Sequence, residues 1–154
     1  MEEPLIPERI SRRAFYTIPM FIVSYVVARW KQYRYSEMLL LLTTTSYLFH
    51  ARVHRWSLIK LLDMSTAIST LSIITLVNTR RFTRWYRFLW YASLMVSLVG
   101  YLHNQMTFYN KRRQFHLLSD EQKESEYVRA TYTHMALFHV FQPLVATICM
   151  LNGK

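Results

Sequence analysis

Apolar residues occur in long blocks along the chain, and short clusters of charged residues separate the blocks. Five such blocks cover residues 14–30, 36–54, 57–78, 83–105 and 131–151. Each has about the length that an α-helix needs to cross the hydrocarbon core of a bilayer, which is roughly 20 residues. A helix also pairs all of its own backbone groups, as a span in lipid requires. The pattern predicts an all-α integral membrane protein, a bundle of about five transmembrane helices.

The segment 106–130 is the only long polar stretch of the sequence. We expect it to connect the fourth and fifth spans outside the hydrocarbon core. Ser119 precedes the run DEQKESEYVRA and has the side chain of a helix N-cap, so part of the connector is predicted to be helical. No repeat or linker divides the sequence, which predicts a single transmembrane domain over residues 1–154.

The charge of the chain is strongly positive, with 19 Lys and Arg residues against 9 Asp and Glu residues and a net charge of +10. The arginines lie at the ends of the predicted spans, as Arg52, Arg80 and Arg112 illustrate. Anionic lipid headgroups occupy that level of a membrane. The charge therefore favours anionic lipids as partners, and we expect no nucleic acid.

Four ionisable residues interrupt the apolar blocks: His50, Asp63, His134 and His139. Such residues are costly in lipid, so each is a functional hypothesis by default. His50 is near the end of the second block, Asp63 near the start of the third, and the other two near the start of the fifth. Because consecutive spans alternate in direction, these positions face one side of the membrane. We expect the four side chains to meet near one surface.

Ser46 strengthens this cluster because it precedes His50 by four residues and shares its helix face. A serine at that position is suited to hold a ligand histidine or a reacting water. Three neutral imidazoles and a water are typical of a catalytic zinc site, and a nearby carboxylate can orient the water.

The segment SYLFHARVHRWSLIKLLDMSTAI resembles the second-to-third-helix region of the ceramidase and adiponectin-receptor superfamily of membrane hydrolases. That family has a Ser-x-x-x-His pattern followed by an aspartate in the next helix, and two histidines in its last helix, to which HMALFHV is similar. The resemblance covers roughly a third of the chain. It implies that His50 and His139 bind zinc and that the catalytic residues Ser46 and Asp63 position the water.

The second histidine of the last block departs from the family pattern. His134 precedes His139 by five residues, and Met135 occupies the position four residues before. A five-residue step rotates about 140° around an ideal α-helix, so ordinary helical geometry predicts only two ligands. A π-bulge would bring in His134 as the third ligand. Alternatively His54, four residues after His50, substitutes for it, or it lies beyond the helix end as a neighbour of the headgroups.

Two functions follow from these observations. The chain is short and has two spans fewer than the family, which favours a non-catalytic accessory subunit of a large membrane complex that is derived from a hydrolase-like fold. Our specific expectation is a respiratory complex or ATP synthase of the mitochondrial inner membrane, with other membrane subunits as partners and no cofactor. The alternative is a zinc-dependent intramembrane hydrolase of lipid amides.

Overall fold

The computed structural model describes residues 6–51 and 58–154, which form helices and no strand. This confirms the predicted all-α class. Short 3₁₀ turns lie between several of the helices, and the π-helical segment Met135–Phe141 joins the last two. The α-helices are α1 (Glu8–Ser11), α2 (Pro19–Trp30), α3 (Glu37–Ala51), α4 (Leu58–Leu76), α5 (Arg84–Arg112), α6 (Asp120–His134) and α7 (Gln142–Leu151).

The segment 106–130, expected as a polar connector, is largely helical. Helix α5 continues through its first residues to Arg112, and α6 begins at Asp120. Ser119 caps α6 as expected: its hydroxyl accepts from the Gln122 backbone N–H at 3.3 Å, and the Gln122 side chain accepts from the Ser119 N–H at 3.0 Å. This reciprocal pair is a capping box, which satisfies two backbone donors at the helix start.

Polar contacts between α5 and α6 explain why these charged residues adopt helices. The Asn104 amide is buried, and it donates to the Ala130 carbonyl at 2.9 Å. Its oxygen accepts from Arg129 Nη1 at 3.1 Å. Glu126 accepts from Arg129 Nε at 3.0 Å and also pairs with Lys111. The polar residues therefore join two neighbouring helices instead of forming an open loop.

Two helical stretches among the described residues have the length and composition to cross a membrane. They are Leu58–Arg81 and Asp120–Leu151, with 24 and 32 residues. The second stretch runs without interruption through α6, the π-helical segment and α7. Helices α2 and α3 are shorter, with 12 and 15 residues, and the described part of α3 ends next to residues 52–57.

The helices are arranged as an open ring around a central space. Helix α3 packs against α2 and α4, and α7 packs against α2 and α5. The order around the ring is therefore α4, α3, α2, α7 and α5. At one end of the ring, Trp90 Nε1 of α5 donates to Thr75 Oγ1 of α4 at 3.1 Å. A buried apolar cluster fills that end: Ala28, Tyr33, Leu39, Ile74, Phe82, Trp90, Val145, Ala146, Cys149 and Met150.

A small polar contact joins α2 to α7. Ser24 Oγ lies 2.9 Å from Thr147 Oγ1 and 3.1 Å from the Pro143 carbonyl oxygen. Ser24 is fully buried, and small hydroxyl side chains of this kind allow helices to approach closely in an apolar environment. This contact fixes α7 next to α2 just after the π-helical segment.

Arg81 joins three parts of the chain at the same end of the ring. Its guanidinium donates to the Lys31 and Gln32 carbonyls after α2, at 3.0 and 2.8 Å, and to the Lys154 carbonyl at 2.7 Å. It also lies 4.2 Å from the centre of the Tyr33 ring, within range of a cation–π contact.

We predict that Arg81→Ala lowers the thermal unfolding midpoint of the protein in detergent. The variant removes three hydrogen bonds from a charged donor, and their partial exposure limits the loss to roughly 1–3 kcal/mol. Arg80→Ala is the matched control, because Arg80 is the exposed neighbour. Equal midpoints for the two variants would contradict the role assigned to Arg81.

Candidate metal centre

His50 enters the centre from α3, one turn after Ser46. The ring is buried, and its Nδ1 lies 3.1 Å from Ser11 Oγ at the end of α1. Its other nitrogen, Nε2, is buried and has no hydrogen-bond partner. A buried polar atom without a partner costs free energy unless something binds it. The Nε2 of His50 is therefore an available ligand atom inside the protein.

His139 enters from the π-helical segment, and its tautomer follows from its neighbours. Its Nδ1 lies 3.1 Å from Thr17 Oγ1, and that hydroxyl donates to the Ala14 carbonyl at 2.9 Å. Because a hydroxyl has a single proton, the Thr17 oxygen must accept from the Nδ1–H of His139. This assigns the proton to Nδ1 and leaves the lone pair on Nε2, as metal binding requires.

His134 joins the other two rings because the helix is π-helical at this point. Hydrogen bonds in a π-helix run from residue i to i+5, so residues five apart lie about one turn apart. The ring centres of His134 and His139 are 5.1 Å apart, and His50 lies 6.0 and 5.1 Å from them. The α-helical expectation that His134 faces away from the cluster is therefore wrong.

Pro143 gives a physical reason for the π-helical segment. Proline has no N–H, and its ring excludes the carbonyl of the residue four positions earlier. That residue is His139, so the ordinary hydrogen-bond ladder cannot continue through it. The helix widens from Met135 to Phe141 and resumes its α-helical form with Pro143 in its first turn. Pro143 is therefore the residue in the sequence that indicates a departure from α-helical geometry before α7.

The three imidazoles fit a zinc ion in number and in kind. One nitrogen from each of His50, His134 and His139 lies within 4.8 Å of the others. Three nitrogens at the usual 2.0–2.1 Å from a tetrahedral zinc lie about 3.3 Å apart. Binding of zinc would therefore draw the three rings closer together. A set of three histidines leaves the fourth position open, which is typical of catalytic zinc sites rather than structural ones.

Asp63 lies beside the histidines and is held by two hydroxyls of α3. Its Oδ1 accepts from Ser46 Oγ at 2.6 Å and from Thr45 Oγ1 at 3.3 Å. The carboxylate lines the same two cavities as His134. Ser46 and Asp63, both predicted from the sequence, are therefore in direct contact with each other at the edge of the cluster.

Sequence reasoning missed Thr45, Ser11 and Thr17. Thr45 belongs to a run of hydroxyl residues with no distinguishing mark, and the other two precede or begin the first apolar block. Ser11 contacts His50, 39 positions away, and Thr17 contacts His139, 122 positions away. Local spacing in the sequence cannot reveal contacts over such separations. His54, the predicted substitute ligand, lies outside the described residues.

Two cavities meet at the centre. The larger, about 360 Å³, is apolar and extends between α4 and α5 as far as Ile74 and Trp90. It is open at the side, where Ile68 and Leu98 are 62% and 46% exposed. The smaller, about 140 Å³, lies on the other side of the histidines, and Lys60, Gln105 and Tyr109 are among its polar lining.

Comparison of the chain with protein-family models, curated proteins and solved structures finds no match. The chemistry of the centre therefore follows from its own residues: the three imidazoles, the unpaired Nε2 of His50 and the carboxylate of Asp63.

We predict that Ser11→Ala and Thr17→Val each weaken zinc binding by roughly 10- to 100-fold, the usual effect of removing a group that orients a ligand histidine. Competition with a chromophoric chelator measures the affinity. Thr43→Val is the control, because the Thr43 hydroxyl donates to the Leu39 carbonyl of its own helix. Unchanged affinity in both test variants would show that the hydroxyls do not orient the ligands.

The double variant His134→Met, Met135→His tests the π-helical geometry at constant composition. It moves the histidine to the position that an ordinary α-helix would require. We expect the swapped protein to lose the third ligand and to bind zinc substoichiometrically, because the π-helical turn directs residue 134 toward the cluster. Metal analysis after dialysis measures the stoichiometry, and zinc retained at the wild-type level would refute this geometry.

Proposed function

We propose that the chain is a multi-pass membrane protein and a zinc-dependent hydrolase of lipid amides. The observation that carries the proposal is the convergence of three histidines and Asp63 where an apolar cavity meets a smaller one whose lining includes polar side chains. Each part of such an enzyme has a counterpart here: metal ligands, a carboxylate, and space for an apolar chain and a polar group.

Apolar side chains on the outside of the bundle support the membrane assignment. Soluble proteins rarely expose continuous apolar surface of this extent. Trp30, Tyr35 and Trp85 are also exposed, and all three lie at the ends of helices on one side of the bundle, as in the aromatic belt of a membrane protein. Exposed aliphatic residues occur on every proposed span, including Val23, Val26, Leu40, Leu41, Leu61, Ile68, Val96, Val99, Leu144 and Ile148.

The residues of the centre divide the chemistry between them. When bound, zinc supplies a Lewis acid that polarises a carbonyl and activates water at neutral pH. Asp63, fixed through Oδ1 by Ser46 and Thr45, accepts a proton from the attacking water and returns it to the leaving amine. One C–N bond is broken and one C–O bond is formed, so the reaction needs no other reactant.

The cavities fit the two halves of a lipid amide. The larger is apolar and within the size range of ligand pockets, and its side opening gives access from the lipid phase. The smaller cavity, with Lys60, Gln105 and Tyr109 in its lining, accommodates water and the leaving group. The resemblance to the ceramidase and adiponectin-receptor superfamily supports the same assignment, since Ser46, His50, Asp63 and His139 occupy the positions of its motifs. The two spans missing relative to that family account for the open side between α4 and α5.

A second candidate function is that of a non-catalytic accessory subunit in a large membrane complex, such as a respiratory complex or ATP synthase of the mitochondrial inner membrane. Exposed apolar residues on the two helices at the opening, Ile68 of α4 and Leu98 of α5, favour it, because a neighbouring subunit would cover them. Anionic lipids at the arginine-rich helix ends are compatible with either role.

Zinc content and hydrolysis, measured on the same purified protein in lipid nanodiscs, separate the two functions. We predict one zinc per chain, lost in His50→Ala and His134→Ala and retained in the control His103→Ala, whose histidine is exposed and outside the cluster. Asp63→Asn retains zinc but releases fatty acid from lipid amides roughly 10²- to 10⁴-fold more slowly.

The opposite outcome is equally specific. A metal-free, inactive protein that migrates with a large membrane assembly would overturn the hydrolase and support the accessory subunit.

A further inference from the structure

Gln142 places a buried amide on the wall of the apolar cavity. It is the first residue of α7, three positions after His139, and it is 4% exposed. Its Nε2 donates to Ser97 Oγ of α5 at 2.9 Å, and Ser97 is fully buried. Its Oε1 is buried and has no hydrogen-bond partner. The serine thus orients the amide, and one buried polar atom of this cavity-lining side chain is left without a partner.

The orientation of the amide does not change this conclusion. The two ends of a glutamine amide are assigned from their hydrogen bonds. If they are exchanged, Oε1 accepts from Ser97 and Nε2 is the atom without a partner. A hydroxyl group satisfies either orientation, because it donates to an oxygen and accepts from an N–H. A carbonyl or an ether on the ligand would satisfy only one.

We propose that Gln142 binds a hydroxyl on the acyl chain of the ligand, so that the cavity selects hydroxylated chains over plain ones. The inference rests on the proposed function, because it takes the cavity as the site of the acyl chain. Three residues separate Gln142 from His139, and since a π-helix rises less per residue than the 1.5 Å of an α-helix, the axial distance is at most about 4.5 Å. A hydroxyl within the first few carbons after the carbonyl therefore reaches it.

The selectivity arises because an acyl chain without a hydroxyl leaves one amide atom of Gln142 without a hydrogen-bond partner. An alkyl chain that fills the cavity excludes water, and the free amide atom then loses any partner. Sites that hydrogen-bond a ligand hydroxyl discriminate against the analogue that lacks it for this reason. One neutral hydrogen bond corresponds to about a tenfold difference in affinity.

Binding of two neutral probes tests the inference without any turnover. The probes are 3-hydroxydodecanamide and dodecanamide, and each displaces a fluorescent fatty-acid analogue from metal-free protein in detergent. We expect the wild type to bind the hydroxylated amide about tenfold more tightly. Gln142→Met keeps the shape of the side chain and should bind both probes equally. Ser97→Ala should lose part of the preference, and Gln114→Met, which alters an exposed glutamine, should retain it.

Each other outcome has a definite meaning. Equal binding of both probes to the wild type would overturn the inference and leave the proposed acyl-chain site standing, with water satisfying the amide. A preference retained in Gln142→Met would also overturn it. Failure of both probes to bind would overturn the acyl-chain site and the inference together. A Gln142-dependent preference, together with wild-type protein that contains no zinc as purified and takes up none when zinc is added, would overturn the hydrolase alone.

Discussion

The unpaired Nε2 of His50 is the constraint on which the site depends. The bundle buries this nitrogen, fixes the opposite nitrogen with Ser11, and brings one nitrogen from each of the three histidines to within 4.8 Å of the others. A fold selected for stability alone would replace three buried imidazoles by apolar side chains, because desolvated polar atoms without partners are costly. A metal ion bound by all three rings would remove that cost. The hydroxyls of Ser11 and Thr17 would then orient the ligand rings, and the π-helical turn would bring His134 to the same ion.

The open ring of helices determines what reaches the centre. Helices α4 and α5 meet at Trp90 and Thr75 and leave an apolar cavity beyond that contact. The larger and the smaller cavity join at Asp63 and His134, so the proposed substrate, with one apolar and one polar half, would lie across the centre. Gln142 adds a buried amide to the wall of the apolar cavity. The proposed access, cleavage and selectivity would thus belong to one continuous space.

The sequence predicts the helices well and the geometry of the last ligand poorly. The apolar blocks indicate α3, α4 and α5, because charged residues separate one block from the next. Ser119 marks the start of α6, because its side chain caps the helix. The π-helical turn escapes periodicity, since a pattern based on 3.6 residues per turn assumes the α-helix that Pro143 disrupts. Ser11 and Thr17 escape it as well, because their contacts with the histidines depend on tertiary packing and not on spacing.

The X-ray absorption spectrum of the zinc-loaded protein tests the central claim most directly, because it reports the ligands of the ion itself. Our account predicts three nitrogens at about 2.0–2.1 Å with the outer-shell scattering of three imidazole rings, and one further light atom. The outer-shell signal should correspond to two rings in the variant that lacks His134. A spectrum of the wild type with fewer than three imidazoles, or with a sulfur ligand at about 2.3 Å, would contradict the account.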